Sequence, residues 1–478
     1  MNIETYHPDL VLGLDVLIGD PSILAPKENM KKKAEHLYIP DGYIYRAQSF
    51  HHEQSSRGEA CRELSSLFRI ISQHTRNTEE GFLLDNGTQV HFIMEKLNFF
   101  PKHMSQDSSR AQAIAVAREL KTNHHNVAIM TGNDMMSTVA YRSNIDVAPL
   151  NPEVYTGRRV IYLPFSFSSF WNTKTKHIPE GALASILEDR PPLVDNEYIE
   201  LRYLEDYEHK DSRFDMIGRF DAEQRAIVPL KLIDRLKEFH LAIYPKNAGQ
   251  AMALDALLAP PDEASIVILS GVFGTGKTFL ATAAGYEQTI ADIYDQVFIV
   301  PRDGALGEKI GYLPGDKDAK VRPKIAPILD NLRSYLMLKP AGNCSEKEHS
   351  DKNCNKLSRY EIVKKRADAE FSRCFADDAL IFMHGRTIPN SFILYDEFQD
   401  MERFQAKALL SRIGNNSKAI ITGDPGQRTN PFINKQSNGL TYSATHLKGE
   451  RHTRIITFTE EEITRSAIVR AIAARFNH

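Results

Sequence analysis

Residues 265–278 read SIVILS-GVFGTGKT, and this stretch decides the fold. SIVILS is a short apolar, β-rich run, the signature of a buried strand. Gly271-Val-Phe-Gly274-Thr275-Gly276-Lys277-Thr278 follows at once and matches G-x-x-x-x-G-K-[ST]. FLATAAGYEQ (279–288) then has helical character. Strand, glycine loop and helix in that order build a phosphate cradle. The glycines let backbone N–H groups turn inward, and the helix N-terminus adds partial positive charge. Lys277 places a point charge on β- and γ-phosphates, and the Thr278 hydroxyl is placed to ligate Mg²⁺. The predicted nucleotide-binding set from this stretch is Gly271, Gly274, Thr275, Gly276, Lys277, Thr278 and Phe279, with ATP and Mg²⁺ as cofactors.

A nucleotide-hydrolysing site needs a carboxylate at the end of a neighbouring strand. SFILYD (391–396) supplies Asp396, expected to hold Mg²⁺, and Glu397, expected to polarise the attacking water. Gln399 and the segment Thr422-Gly423-Asp424-Pro-Gly-Gln427, which follows the apolar run KAIITGD (418–424), are candidate sensors of the γ-phosphate. Each of these alone reads as turn chemistry. Their order after the glycine loop is what raises them.

Working outward, QVFIV (296–300) is a further β-rich run, and helical stretches separate the runs from about residue 240 onward. That alternation predicts a parallel sheet with flanking helices over 239–478. Residues 341–375 are an insertion, of which the polar stretch 341–358 reads as exposed. They contain Cys344, His349, Cys354 and Cys374, whose spacing fits no usual zinc pattern, so free thiols are expected. Residues 1–150 show a second α/β pattern. LVLGLDVLIGDPSIL (10–24) reads as a buried strand running into a turn, VAIMT (127–131) as another, and 59–72 and 108–121 as helices. Residues 151–238, with FSFSSFW and EYIELRYL, read as a connector with a small β unit.

The chain has 478 residues, 42% hydrophobic and 25% charged, enough for two or three domains and not the composition of a disordered or fibrous chain. No run approaches a membrane span, and the start carries no apolar signal segment, so no membrane association is expected. Four cysteines point to a reducing compartment and a cytoplasmic protein. A formal net charge of -3 means that nucleic acid must bind through a local basic cleft.

With these residues placed, the C-terminal part resembles the PhoH family of ATPases, relatives of the superfamily 1 helicase core. Tyr244-Pro-Lys-Asn247-Ala-Gly-Gln250 resembles the family's opening segment, which implies that Gln250 reads adenine. Val300-Pro-Arg302 stands where the family has an arginine-proline pair. Leu306-Gly-Glu-Lys-Ile-Gly-Tyr-Leu-Pro-Gly-Asp316 resembles the "LGFLPGD" signature, and Phe382-Met-His-Gly-Arg386-Thr387 resembles "MRGRT", with His384 in place of an arginine. Thr464-Arg465-Ser466 resembles the terminal arginine segment, so the resemblance implies that Arg465 is an arginine finger, in cis or across a ring interface. It also implies a homo-oligomer, such as a hexameric ring.

The N-terminal part resembles a PIN domain joined to such an ATPase. Gly13-Leu-Asp15-Val-Leu-Ile-Gly-Asp20-Pro21 is similar to the opening "LDTNVLLxDP", and Asn133-Asp134 to a later acidic element. PIN domains are ribonucleases that gather Mg²⁺ or Mn²⁺ between carboxylates. Here the first aspartate position is Gly13 and the later one is Asn133. A one-residue shift along a strand turns a side chain to the opposite face. The array therefore reads as degenerate, with a rebuilt site using Asp15, Glu59 or Glu63, and Asp134 as the rival.

Candidate RNA contacts are Arg302, Lys320, Arg322 and Arg386, with Lys309, Lys317 and Lys324 nearby. The lone Trp171 reads as a core residue rather than a base-stacking one. The expected function is an ATP-dependent, RNA-stimulated, helicase-like motor on single-stranded RNA, with DNA not excluded. Two alternatives stay open: a small-molecule kinase or metabolic ATPase, and a nucleotide-gated RNA-binding scaffold that processes nothing.

Overall fold

The apolar run at the N-terminus divides where the sequence reading kept it whole. Strand β1 (Asp9–Leu12) is buried along its length, and helix α1 (Leu14–Gly19) begins two residues later. The reading of 10–24 as one strand and a turn is corrected here. Gly13 N donates to Met130 O at 2.9 Å, and Gly13 O accepts from Val16 and Leu17 N, which bends the chain out of the sheet and starts the helix. In the computed structural model the described residues are 9–19, 21–24, 34–50, 56–74, 81–93, 99–100, 104–105, 108–123, 126–131, 134–149, 155–163, 170–188, 191–203, 217–300, 317–339, 359–377, 387–427 and 438–465. They divide into two compact units, 1–153 and 154–478.

The first unit continues with β2 (His36–Pro40), α2 (Gly42–Ser49), α3 (Ser56–His74), β3 (Phe82–Leu83) and β4 (Gln89–Ile93). It closes with α4 (Ser109–Thr122), β5 (Val127–Thr131), α5 (Asp134–Arg142) and β6 (Asp146–Pro149). The sheet order is β3-β4-β2-β1-β5-β6, parallel except for β3 against β4. Leu12, Ile39 and Ile129 are fully buried in its core, and the α3 residues Leu64 and Phe68 pack there. Strands β1 and β5 are neighbours, and α1 and α5 each start beyond their carboxyl ends.

The second unit opens with a small sheet. Its elements are β7 (Arg158–Leu163), β8 (Ile178–Pro179), α6 (Ala184–Leu187), β9 (Tyr198–Tyr203), β10 (Ile217–Asp221), β11 (Ala226–Pro229) and α7 (Leu232–Glu238). The order is β7-β9-β10-β11-β8, with only β7 and β9 parallel. Trp171 packs against this sheet's core beside Phe170, as the core reading expects.

The larger sheet is wholly parallel among its described pairs. Chain order runs α8 (Ala248–Leu258), β12 (Ile266–Gly271), α9 (Lys277–Ile290), β13 (Gln296–Val300), α10 (Lys317–Leu338) and α11 (Arg359–Cys374). It continues with β14 (Phe375–Asp377), β15 (Ser391–Tyr395), α12 (Arg403–Leu410), β16 (Lys418–Thr422), α13 (Gly439–His446) and β17 (Thr453–Phe458). The spatial order is β14-β13-β15-β16-β12-β17. Residues of β15 and β16 are buried throughout, which is why they read as unbroken apolar runs. Within the insertion 341–375, α11 packs on α10, and Ala367 and Cys374 on it are buried, while the stretch 341–358 read as exposed lies outside the described residues.

Helix α8 has no polar face to speak of and is buried almost all round. Asn247 caps its first turn by accepting from Gln250 N at 2.9 Å. Its last carbonyls need a donor. Lys418, the first residue of β16, is wholly buried and gives its Nζ to the carbonyls of Ala256, Leu257 and Ala259. Burial holds the Lys418 amine well below its ordinary titration range.

Candidate nucleotide-binding site

The glycine loop lies at the carboxyl end of β12, between the ends of β16 and β17. Gly271 has φ +118, and a Cβ there would fall within 2.3 Å of the Phe458 carbonyl oxygen on β17. Only glycine fits that close approach. Lys277 is the first residue of α9, and its Nζ donates to Gly271 O at 2.7 Å and Val272 O at 2.9 Å. Thr275 Oγ1 donates to Val272 O at 3.0 Å and is fully buried, so it shapes the loop from inside. Burial lowers the Lys277 amine to about 8, opposed by the charges of Asp424, Asp396 and Glu397 and aided by Arg465. Phe279 faces Tyr335 of α10 edge-on at 6.5 Å, so it anchors the loop's helix to its neighbour.

Asp396 follows β15 and lies across from Thr278. Thr278 Oγ1 donates to Asp396 Oδ1 at 3.0 Å, Glu397 N donates to the same oxygen at 3.1 Å, and the Thr422 hydroxyl at the end of β16 also reaches it. Glu397 has φ 56, a left-handed conformation that costs a non-glycine residue energy and is held by its surroundings. Gln399, fully buried, donates through Nε2 to Glu397 Oε2 at 2.5 Å. Its Oε1 accepts from Asp424 N at 3.0 Å. One amide thus joins the expected water-polarising carboxylate to the expected sensor segment.

The third wall comes from both ends of the domain. Gln250 on α8 donates to Thr275 O at 2.9 Å and accepts from Lys246 N at 3.0 Å. Thr464 N donates to Gly274 O at 3.0 Å. Arg465, exposed, is close enough for its charge to act on Lys277. Sequence reasoning missed Glu462, whose carboxylate accepts from Gly249 N at 2.7 Å and so binds the α8 N-terminus. The signal was available: Thr459 and Glu462 form a T-x-x-E capping box.

The residues fit a nucleoside triphosphate with Mg²⁺. Lys277 is a buried amine whose hydrogen bonds go to loop carbonyls, and its charge suits a phosphate anion at the loop. Mg²⁺ is usually held by one or two carboxylates or hydroxyls plus substrate phosphates. Thr278 and Asp396 supply that pair, and among the described residues no group of three His, Cys, Asp or Glu forms a separate metal cage.

The profile of the family described as "PhoH-like protein" matches residues 242–477. These residues form a PhoH domain. It belongs to a family of P-loop nucleoside triphosphatases. "Protein PhoH2" of Bacillus subtilis is 27% identical over 461 residues, covering 92% of this chain and 93% of its own length. "Protein PhoH2" of Thermobispora bispora is 29% identical over 461 residues, covering 95% and 93%. A "PhoH-like protein" of Synechocystis is 29% identical over 206 residues, 43% of this chain and 55% of its own. The full-length matches extend well before the PhoH domain, so those relatives carry an N-terminal part as well.

Several predicted residues are reached only in part. Asp15 lies on α1 and Asp134 opens α5, but their side chains, like that of Glu59, lie outside the described residues. Glu63 is exposed on α3. Lys317, Lys320, Arg322 and Lys324 lie in the first turns of α10, with side chains outside the described residues. Arg302, Lys309, Arg386 and the cysteine pair Cys344 and Cys354 with His349 lie outside them altogether. Cys374 is a buried free thiol. No helix among the described residues is long and apolar enough to cross a membrane.

Proposed function

We propose that the PhoH domain is an ATP- and Mg²⁺-dependent motor acting on single-stranded RNA, in the cytoplasm. In this reading residues 1–150 are a PIN-like domain, 151–238 a connector and 239–478 the motor. The observation that carries it is the bridge made by Gln399. A group that only transfers phosphate to a small acceptor has no use for a buried amide joining Glu397 to the backbone of Asp424. A motor does, because loss of the γ-phosphate must move something. Lys277 and the loop amides bind the phosphates, and Thr278 and Asp396 hold Mg²⁺, which neutralises phosphate charge when bound. Glu397 orients and deprotonates water, Arg465 stabilises developing charge, and Gln250 recognises the base.

The RNA would follow the basic start of α10 and residues Arg302 and Arg386, with a homo-oligomeric ring as the working assembly. The PIN-like part is read as a degenerate nuclease that binds RNA or organises assembly. Asp15 and Asp134 belong to helices that begin beyond neighbouring strand ends, so a rebuilt metal site is the specific rival. Metal-dependent cleavage of unstructured RNA that is lost in Asp15→Ala would establish that rival. The deciding experiment for the motor is ATP hydrolysis measured with and without single-stranded RNA or DNA. Turnover should rise with RNA and vanish in Lys277→Ala; turnover indifferent to both polymers would return the protein to metabolic ATPase chemistry.

A further inference from the structure

Arg158 of the connector sheet reaches the residues that lead into the glycine loop. Strand β17 is the edge of the large sheet, and its outer face is met by the segment before β7. Thr457 N donates to Thr156 O at 2.9 Å. Gly157, at φ +72, lies so close that a Cβ would come within 1.8 Å of the Ile455 carbonyl oxygen. This close approach puts Arg158, the first residue of β7, against the end of β17. Its Nη1 donates to both carboxylate oxygens of Glu462, at 2.9 and 2.8 Å, and its Nη2 to Glu200 Oε2 at 3.1 Å. Arg158 and Glu462 are nearly buried, with side chains 10% and 7% exposed. With one guanidinium nitrogen on Glu462 and the other on Glu200, the side chain is held from two directions by charge-assisted bonds.

Glu462 is the hub. Besides Arg158, its carboxylate takes the N–H groups of Gly249 and Thr459, and its backbone carbonyl takes Asn247 Nδ2 at 3.0 Å. Two residues on, Thr464 N reaches Gly274 O in the glycine loop, and Arg465 follows. Removing Arg158 would leave a buried carboxylate with backbone donors only and would free the turn that delivers Thr464.

We infer that Arg158 is a positioning residue for nucleotide turnover: acting through Glu462, it sets how Thr464 and Arg465 meet the glycine loop, so that the connector sheet controls the PhoH domain. The inference rests on the reading of that domain as a nucleotide hydrolase with Arg465 acting in cis. Arg158 touches neither phosphate nor metal in this scheme. Its effect is transmitted entirely by the hold on residues 459–465.

The test uses the full-length chain with Arg158→Ala, Arg158→Lys, Glu462→Gln, Arg465→Ala and the double variant Arg158→Ala/Arg465→Ala. Hydrogen exchange of residues 459–465 is followed without nucleotide, and ATP turnover is measured beside it. In Arg158→Ala, exchange of that segment should speed up by about tenfold or more, and kcat should fall by about 10- to 100-fold with KM within about threefold. Glu462→Gln should behave alike. Arg158→Lys, which can face Glu462 but cannot span to Glu200 as well, should fall between, and it serves if the alanine variant does not fold. Because Arg158 acts on the segment that carries Arg465, its loss should slow the Arg465→Ala chain by clearly less than it slows the wild type. Unchanged exchange in Arg158→Ala overturns the inference, as does a double variant in which the two losses multiply. A wild-type chain that hydrolyses no ATP would instead sink the proposed function, and the exchange result would still decide whether Arg158 holds the segment.

Discussion

Thr278 Oγ1 donates to Asp396 Oδ1 at 3.0 Å, a contact that holds the phosphate loop against the acidic strand end. Two strands apart in the sheet order, β12 and β15 meet at this contact because β16 between them ends on Thr422, whose hydroxyl joins the same oxygen. In the proposed function this pair of oxygens holds Mg²⁺. Thr278→Ala removes one oxygen donor and leaves Asp396 to its remaining partners. The Mg²⁺ concentration for half-maximal ATP turnover should then rise by about 10- to 100-fold. Thr278→Ser keeps the hydroxyl and should stay near wild type. A metal titration of both variants checks this, and equal behaviour of Ala and Ser would remove Thr278 from the metal site.

Lys277 makes stability and activity pull in opposite directions. Burial takes its amine from an ordinary 10.5 to about 8 in the folded chain. Between those values the unfolded chain holds the proton and the folded chain does not, so stability rises with pH across that window. Below about 8 both states are charged and the folded state bears the full cost of burial. Lys277→Met should therefore stabilise the nucleotide-free protein at pH 7, by on the order of 3 kcal/mol at most. The gain should shrink as pH rises and be gone above about 10.5, while ATP turnover is lost at every pH. Denaturant unfolding of both proteins at pH 7 and 10 measures the difference. Bound triphosphate should also restore the proton, so nucleotide binding at pH 8.5 should take up protons in the wild type and none in Lys277→Met.

Glu397 and Gln399 separate binding from turnover. Glu397→Gln keeps the size of the side chain but not its charge, so ATP binding should persist while kcat falls by about 100-fold or more. Gln399→Ala is a different lesion. It leaves the buried Asp424 N–H without its acceptor, which costs about 1–3 kcal/mol of stability. It should also lower the factor by which RNA raises turnover more than it lowers turnover without RNA. Equal loss with and without RNA would mean that Gln399 only holds the fold.

The phosphate loop and Asp396 were legible because each is a local pattern: an apolar run, then groups whose chemistry depends on their immediate neighbours. Strand order was not, because the position of β16 between β12 and β15 is set by non-local pairing. Helix α1 was hidden in an apolar run with no period to divide it, and the break at Gly13 shows in its backbone bonds to Met130, Val16 and Leu17. Helix α11 carries no clear apolar stripe to read in the sequence, because it is charged on most sides and its buried residues are Ala367 and Cys374. Glu462 was passed over as one of three glutamates in a row, although its partners include the backbone of α8 and Arg158, which lie far away in sequence. Long-range partners of single polar groups are what a sequence conceals.

Lys418 is the clearest case, since a lysine at a strand start reads as solvated and here is wholly buried. Its three carbonyl acceptors are the last of α8, the helix whose first turn carries Gln250. The amine therefore ties the strand that ends at Thr422 to the helix that meets the glycine loop. Lys418→Met fills similar volume but leaves the Ala256 and Ala259 carbonyls without this donor in a region closed to water, while Leu257 O keeps Gln288 Nε2 at 3.1 Å. Two effects oppose each other. Losing a buried ammonium relieves desolvation, as at Lys277, but Lys277 has two carbonyl partners at a loop and Lys418 has three at a helix end. The unmade bonds should win, and Lys418→Met should destabilise the chain by about 2–4 kcal/mol. Thermal unfolding gives the sign directly: a Tm equal to or above wild type would show that the buried charge, not the cap, dominates at this position.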